Sequence, residues 1–173
     1  MNKTIKTITL VFVTAIFMAT SSCLNSKDEE TVQRTPEIEK AELDEALGKI
    51  IDAGYDLDTT ELGIYYVTYE DGEGVFPLPG DTLLLEYTGY LLNGTVFDAS
   101  VDHYPDGIWE YIYKDIDLIP GFDDGLALMN KGCEMDLIIP SVLAYGAGTA
   151  GFILPYSTLI FAAKMHDIKP KQN

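Results

Sequence analysis

An alternating stretch that runs into a turn signal sets the strongest limit on how this chain folds. Residues 82–92 place four apolar side chains on one face of an extended strand: Leu83, Leu85, Tyr87 and Leu91. Asn93-Gly94 follows, and this pair favours a type I′ turn because both central residues of that turn need positive φ. Residues 95–98 then read as the returning strand. The pattern predicts a β-hairpin with one buried face.

Further strands and one short helix are predicted beyond residue 60. Residues 63–67, 134–140 and 158–168 have strand character. A helix is predicted to begin at Pro120-Gly121 and to end at Gly132, with Phe122, Leu126 and Met129 at helical spacing. This order of elements predicts an α+β fold in which an antiparallel sheet wraps one short helix.

A separate amphipathic helix is predicted over residues 36–53. Thr35 is a suitable N-cap, Pro36 suits the first helical position, and Gly54 is a natural stop. The apolar side chains between them recur at near-helical spacing. Their stripe has to be buried, either on the flank of the domain or against a second copy of the chain.

The first 22 residues have the pattern of a targeting segment. Lys3 and Lys6 precede an apolar run over residues 8–18, which is too short to span a bilayer. Small residues then lead to Cys23, in a pattern that resembles a bacterial lipoprotein processing site. Residues 1–22 are therefore predicted to be a signal peptide and Cys23 the lipidated residue, since two acyl chains anchor a protein stably. The alternative is ordinary secretory cleavage with Cys23 incidental.

Residues 23–35 are predicted to form an acidic tether, because polar and charged residues dominate there. Within it, residues 27–30 read Lys-Asp-Glu-Glu. They are similar to the acidic signals that direct some Gram-negative lipoproteins to the cell surface. A simple acidic spacer is the equal alternative.

Charge and composition exclude several classes of function. The chain has 11 Lys and Arg against 28 Asp and Glu, a net charge of −17. Such a surface is unsuited to nucleic acid, whose binding depends on basic residues that neutralise phosphates. It is equally unsuited to direct contact with an anionic membrane, so a membrane is expected as a partner only through the lipid anchor. His103 and His166 are the only histidines, which makes an imidazole metal site improbable.

A glycine-rich motif and a cysteine are both rejected as functional sites. Residues 146–151 fit the dinucleotide-binding glycine pattern, but that motif must open a helix after a strand and the chain has no βαβ unit. Cys133 has no base near it in sequence and is expected to be a buried, inert thiol.

Four blocks of sequence resemble the FK506-binding-protein (FKBP) family. Residues 80–89 read GDTLLLEYTG, residues 92–100 read LNGTVFDAS, and residues 118–126 read LIPGFDDGL. The fourth block comprises LIIPSVLAYG at residues 137–146 and PYSTLIF at residues 155–161. The blocks occur in the family's order across residues 60–168, so the resemblance covers most of the chain.

This resemblance implies a five- or six-stranded curved antiparallel sheet with an apolar proline-binding pocket between the sheet and its short helix. The pocket residues that it implies are Tyr87, Phe97, Trp109, Leu118, Ile119, Phe122, Ile153 and Phe161. It also implies that Tyr145 donates a hydrogen bond to the substrate and that Asp98 acts electrostatically, as the two catalytic residues. No cofactor or metal is expected, and an FK506-like macrolide is an implied ligand.

The sequence departs from the family pattern near the implied pocket. Phe122 stands where tryptophan is usual, and Leu154 replaces a usual proline. No arginine lies between Asp98 and Ile119 to pair with the carboxylate; the basic residues in that span are His103 and Lys114. Residues 101–108 differ from the usual segment as well. These departures concern catalytic strength more than the binding of a proline ring.

The sequence therefore predicts a peptidyl-prolyl cis/trans isomerase that assists the folding of exported or envelope proteins. Residues 36–59 are expected to form the helix and a linker, residues 60–168 the isomerase domain, and residues 169–173 a tail. The expected location is the cell envelope, on the periplasmic side or exposed at the surface. The alternatives are a non-catalytic FKBP-like chaperone or binding module, and a structural lipoprotein of an envelope machine for gliding or secretion.

Overall fold

A computed structural model describes residues 33–172. The predicted signal peptide, the lipidation site Cys23 and tether residues 23–32 lie outside the described residues. No helix in the described range is long and apolar enough to cross a membrane.

The described chain contains seven strands, three α-helices and a 3₁₀ helix. In chain order these are α1 (Pro36–Asp52), β1 (Asp58–Thr59), β2 (Tyr65–Glu70), β3 (Thr82–Leu91), β4 (Val96–Ala99), α2 (Ser100–His103), β5 (Trp109–Ile112), α3 (Pro120–Leu126), β6 (Glu134–Ile139), the 3₁₀ helix Ser141–Leu143 and β7 (Leu159–Lys169).

All neighbouring strands are antiparallel, in the order β1-β2-β6-β7-β3-β4. β3 is the central element, because it pairs with β7 along its whole length. Its other edge pairs with β5 over residues 82–85 and with β4 over residues 88–90. The α+β class is confirmed. The sheet has seven strands rather than five or six because two short strands, β1 and β5, join it.

One face of the sheet carries α3 and the main core. The alternating side chains predicted for β3 point there, since Leu83 and Leu85 are fully buried and Tyr87 is 9% exposed. Two glycines bring α3 close to the sheet. A Cβ at Gly121 would lie 2.3 Å from Ile139, and one at Gly125 would lie 2.3 Å from Leu137. Close packing on β6 thus explains why a helix contains two residues of low helix propensity.

The opposite face of the sheet carries α1. Leu43 and Leu47 of the helix pack against Ile138 of β6, with Ile50, Leu57, Tyr65 and Ile160 around them. The hydroxyl of Thr35 accepts a hydrogen bond from the Ile38 amide at 3.4 Å, so the predicted N-cap is present. The sequence left two places for the apolar stripe of this helix, the flank of the domain or a second copy of the chain. In the described chain the stripe packs on the flank of its own domain.

Several element boundaries differ from the sequence expectations. α3 ends at Leu126 and continues as turns to Gly132, although Met129 is fully buried as its spacing predicted. β1 lies within the segment expected to be a linker, and β7 runs to Lys169. α2, β5 and the 3₁₀ helix are short, and hydrophobic periodicity over so few residues is weak.

Candidate active site

Aromatic rings from three parts of the chain meet on the face that carries α3. Tyr87 of β3 and Phe161 of β7 lie on neighbouring strands, since Gly89 pairs with Phe161 and Tyr87 with Ala163. Phe122 enters from α3, with its ring centroid 4.4 Å from that of Phe161 and 6.0 Å from that of Tyr87. Such distances are typical of aromatic packing. The three side chains are at most 9% exposed and form a closed apolar floor.

Phe97 and Trp109 add rings from the two strands that share one edge of β3. The Phe97 ring lies 5.4 Å from Phe161, and the Trp109 ring lies 5.8 Å from Tyr87. Phe97 passes over Gly89, where a Cβ would come within 2.5 Å of its ring. Both rings are half-buried, so they stand between the apolar floor and solvent.

The polar groups at this cluster are a phenol, a carboxylate and an imidazole. The Tyr87 hydroxyl donates to Asp98 Oδ2 at 2.8 Å, and His103 Nε2 lies 2.6 Å from Asp98 Oδ1. Burial raises the pKa of Tyr87, and its hydrogen bond to Asp98 raises it further. The hydroxyl therefore remains a donor at neutral pH and orients the carboxylate.

His103 is the partner of Asp98 that sequence reasoning did not assign. The sequence shows it only as a basic residue in a span without arginine. α2 directly follows β4, so it brings His103 back over the carboxylate only five residues away. A basic residue so soon after Asp98, where an arginine was expected, was the available signal.

The remaining predicted pocket residues belong to the same hydrophobic core as the aromatic floor. Ile153 is 5% exposed and belongs to the core, and Leu118 and Ile119 pack against it from just before α3. All eight predicted wall residues thus belong to the main core or pack against it: Tyr87, Phe97, Trp109, Leu118, Ile119, Phe122, Ile153 and Phe161.

Tyr145 is the predicted site residue that lies outside the closed floor. Its side chain is 42% exposed, on the segment between the 3₁₀ helix and β7. The preceding residue, Ala144, packs against the core. Tyr145 therefore follows a residue that is anchored in the core, while its own side chain remains open to solvent.

Sequence reasoning missed the residues that hold Trp109 in place. Tyr111 stacks on Trp109 with ring centroids 4.7 Å apart, and Tyr113 packs edge-on against Tyr111. The Tyr113 hydroxyl donates to the backbone carbonyl of Asp123 in α3 at 3.2 Å. Aromatic residues at every second position from 109 to 113 were a strand signal that could have revealed β5.

The comparisons with known proteins identify the family of the chain. Residues 74–166 match the FKBP-type peptidyl-prolyl cis-trans isomerase family, a match that spans more than half of the 173 residues. The chain belongs to this family. The resemblance seen in the sequence blocks is confirmed.

FKBP relatives are found among both curated proteins and solved structures. The chain is 38% identical over 113 residues to the FKBP-type 22 kDa peptidyl-prolyl cis-trans isomerase of Escherichia coli K12, covering 65% of this chain and 53% of the relative. It is 36% identical over 111 residues to the outer membrane protein MIP of Legionella longbeachae, covering 64% of this chain and 45% of that protein. The chain spans about half the length of such relatives.

Two solved structures share the fold. The crystal structure of FkpA from Escherichia coli has a TM-score of 0.64 and 28% identity, covering 79% of this chain and 63% of that one. A peptidyl-prolyl cis-trans isomerase from Pseudomonas syringae pv. tomato has a TM-score of 0.65 and 26% identity, covering 80% of this chain and 98% of that one.

The possible metal ligands and the cysteine of the described residues lie in ordinary surroundings. Within residues 33–172, no three His, Cys, Asp or Glu side chains are grouped as metal ligands. Cys133 is 2% exposed, and burial raises the pKa of its thiol. It has the buried environment expected of an unreactive cysteine.

Proposed function

We propose that this chain is a peptidyl-prolyl cis-trans isomerase for proline-containing polypeptides and that the aromatic cluster is its proline site. The observation that carries the proposal is the apolar floor of Tyr87, Phe122 and Phe161, with Asp98 oriented at its edge by the Tyr87 hydroxyl. Membership of the FKBP family supports the same activity.

The chemistry suits a site without a nucleophile, metal or cofactor. Rotation about a peptide bond has a barrier of about 18–20 kcal/mol, because the planar amide is stabilised by resonance. The twisted transition state loses this resonance and its charge separation, so an apolar floor disfavours the planar form relative to the twisted one. Each ~1.4 kcal/mol gained only in the transition state accelerates exchange about tenfold.

Each site residue has a role in this proposal. Phe97, Trp109, Leu118, Ile119 and Ile153 complete the walls that hold the proline ring. The Tyr145 hydroxyl donates to a carbonyl of the bound peptide. Asp98, held by Tyr87 and His103, acts electrostatically on the carbonyl of the rotating bond. The same walls would accept an FK506-like macrolide.

The cell envelope is the proposed location, with residues 1–22 as signal peptide and Cys23 as lipid anchor. The small-residue run before Cys23 supports this, as does similarity to a protein named outer membrane protein MIP. The clients would then be exported or envelope proteins.

Cys23→Ser should remove the protein from the membrane fraction without unfolding it, which fractionation and circular dichroism can check. Continued membrane association of the variant would place the anchor elsewhere.

The activity is tested by following cis/trans exchange of a peptide with an apolar residue before proline, with micromolar full-length protein. We expect exchange to be faster than the spontaneous reaction, which takes tens to hundreds of seconds. A rate equal to that of the peptide alone would overturn the enzyme proposal. Retained binding of unfolded clients would then favour the chaperone alternative, and stoichiometric co-purification with envelope proteins the structural one.

A further inference from the structure

α1 contains a buried acidic side chain that the proposed reaction does not use. Glu39 is 8% exposed and lies outside the family match, which begins at residue 74. Its Oε1 accepts from the Ser141 amide at 2.6 Å and from the Thr158 hydroxyl at 2.9 Å, while its Oε2 accepts from the Ser141 hydroxyl. Burial of a carboxylate is costly unless such donors surround it.

Arg34 makes a second connection from the same end of α1. Its Nε donates to the carbonyl of Pro155 at 3.2 Å, and its Nη2 donates to the carbonyl of Tyr156 at 3.0 Å. Glu42 of α1 accepts from both terminal nitrogens of the guanidinium and holds it in place. A planar guanidinium suits this arrangement because its donors form a rigid fork.

The two connections hold both ends of one segment, residues 141–158, which is here called the site loop. Ser141 and Thr158, the two residues bound by Glu39, are its first and last members. The loop carries Tyr145 and Ile153, and it is rich in glycine, with Gly146, Gly148 and Gly151. Glycine-rich backbone loses much conformational freedom when it becomes ordered. An external restraint therefore matters more here than in the strands.

Both connections converge on the residue after Tyr145. The Gly146 amide donates to the Ser141 carbonyl at 2.8 Å, and the Tyr156 amide donates to the Gly146 carbonyl at 2.8 Å. Tyr156 has φ of 53°, a left-handed conformation that a tyrosine adopts only when its surroundings impose it. Glu39 is thus linked to Gly146 through Ser141, and Arg34 is linked to Gly146 through Tyr156.

We propose that Arg34 and Glu39 are positioning residues that hold the site loop, and with it Tyr145 and Ile153, in the geometry that binds a proline peptide. The role in catalysis rests on the proposed isomerase function. A loop that is already ordered binds its ligand more tightly, because less conformational entropy is lost on binding. The N-terminal helix is therefore part of the site as well as a cover for the sheet.

The test compares Glu39→Ala and Arg34→Ala with the parent, in the full-length protein, by amide hydrogen exchange and by steady-state isomerase kinetics. Exchange within residues 141–158 should accelerate roughly tenfold or more in Glu39→Ala, because a buried carboxylate with three donors is lost. Exchange in β3 and β7 should keep the parent rate. The KM should rise several-fold with a smaller change in kcat. This pattern is expected when a variant loses binding energy that the ground state and the transition state share equally.

Two matched variants separate positioning from general stability. Glu39→Gln retains an acceptor for the Ser141 amide and the Thr158 hydroxyl, and Ser141 can rotate its hydroxyl to accept from the new amide. It should restore most of the parent kinetics. Lys40→Ala removes an exposed pair with Asp44 on the same helix, which does not touch the site loop, and should leave loop exchange and KM unchanged.

The proposal is overturned if Glu39→Ala lowers the melting temperature while loop exchange and KM match the parent. If Glu39→Ala does not fold, Arg34→Ala decides by the same criteria, since the Arg34 side chain is only partly buried, with 22% exposure, whereas Glu39 is 8% exposed. If the parent itself has no turnover, the proposed function fails, but loop exchange still shows whether Arg34 and Glu39 hold the loop.

Discussion

The two faces of the sheet hold their helices by different physical means. α3 meets the sheet mainly through apolar contact, since Gly121 and Gly125 let it pack directly on Ile139 and Leu137, and its polar contacts with Tyr113 and Lys114 are made by Asp123. α1 buries a smaller apolar cluster and adds the hydrogen bonds of Glu39 and the guanidinium of Arg34.

This difference suits the two faces of the sheet to different roles. Apolar contact is non-directional, so the α3 face can form a smooth floor for a proline ring. Hydrogen bonds are directional, so the α1 face can hold a particular loop in a particular place. The largest stability effects should therefore come from the α3 face.

The largest expected effect comes from truncating the aromatic floor. Phe122→Ala should lower the free energy of unfolding by about 3–5 kcal/mol, because it leaves a cavity between Tyr87 and Phe161. Leu43→Ala on the α1 face should cost about 2 kcal/mol, since the cluster there is smaller. Urea unfolding of both variants measures the comparison. A larger loss for Leu43→Ala would reverse our ranking of the two faces.

Adding one methyl group to each helix should give opposite signs. Gly125→Ala places a Cβ 2.3 Å from Leu137 and should destabilise the fold by about 1–3 kcal/mol through overpacking. Gly48→Ala in α1 meets nothing within 4 Å and should stabilise it by about 0.5–1 kcal/mol through better helix propensity. Thermal unfolding of the pair checks this. Equal shifts would mean that α3 does not pack as closely as described.

The polar groups of the site should affect turnover more than folding. Asp98→Leu should lower kcat/KM by more than about tenfold, because it removes a charged acceptor and leaves the Tyr87 hydroxyl unpaired. Tyr145→Phe keeps the ring and removes one donor, so a loss of about two- to tenfold is expected. Isomerase kinetics with chemical unfolding as a control measure both. Parent rates in both variants would assign the catalysis to the apolar walls alone.

The smallest effect concerns a half-buried acid on the α1 face. Burial raises the pKa of Asp136, whose Oδ2 accepts from the Tyr69 hydroxyl at 2.8 Å. An acid with a raised folded pKa favours folding when protonated, so this favourable contribution disappears as pH rises from about 4 through the folded pKa. Asp136→Asn should therefore stabilise the protein at pH 7 by less than about 1 kcal/mol, since the pair is partly solvated.

Unfolding measured against pH checks the sign of that prediction. The stability difference between Asp136→Asn and the parent should grow as the pH rises from about 4 through the folded pKa of Asp136, and then level off. A variant that is less stable than its parent at pH 7 would show that the ionised carboxylate strengthens the fold at this position.

Much of the apolar site was predictable because strand and helix periodicity are local properties. The alternation in β3 identified Tyr87 as buried beside Leu83 and Leu85, and the helical spacing of Phe122, Leu126 and Met129 identified the facing helix. The family blocks then predicted which of these aromatic side chains line the proposed site.

The sequence by itself determined five of the seven strands, the two longer helices and the apolar faces that meet, because each is encoded by residues a few positions apart. Only the tertiary structure decided which polar groups become partners. Arg34 fell in a segment predicted to be tether, yet it binds carbonyls more than 120 residues away. In the sequence, Glu39 is one of the acidic residues in the first turn of a helix, and only the fold shows that the site loop supplies its hydrogen-bond donors. Periodicity indicates which side of an element is buried, but a hydrogen bond depends on the position of a second group that the whole fold has to bring there.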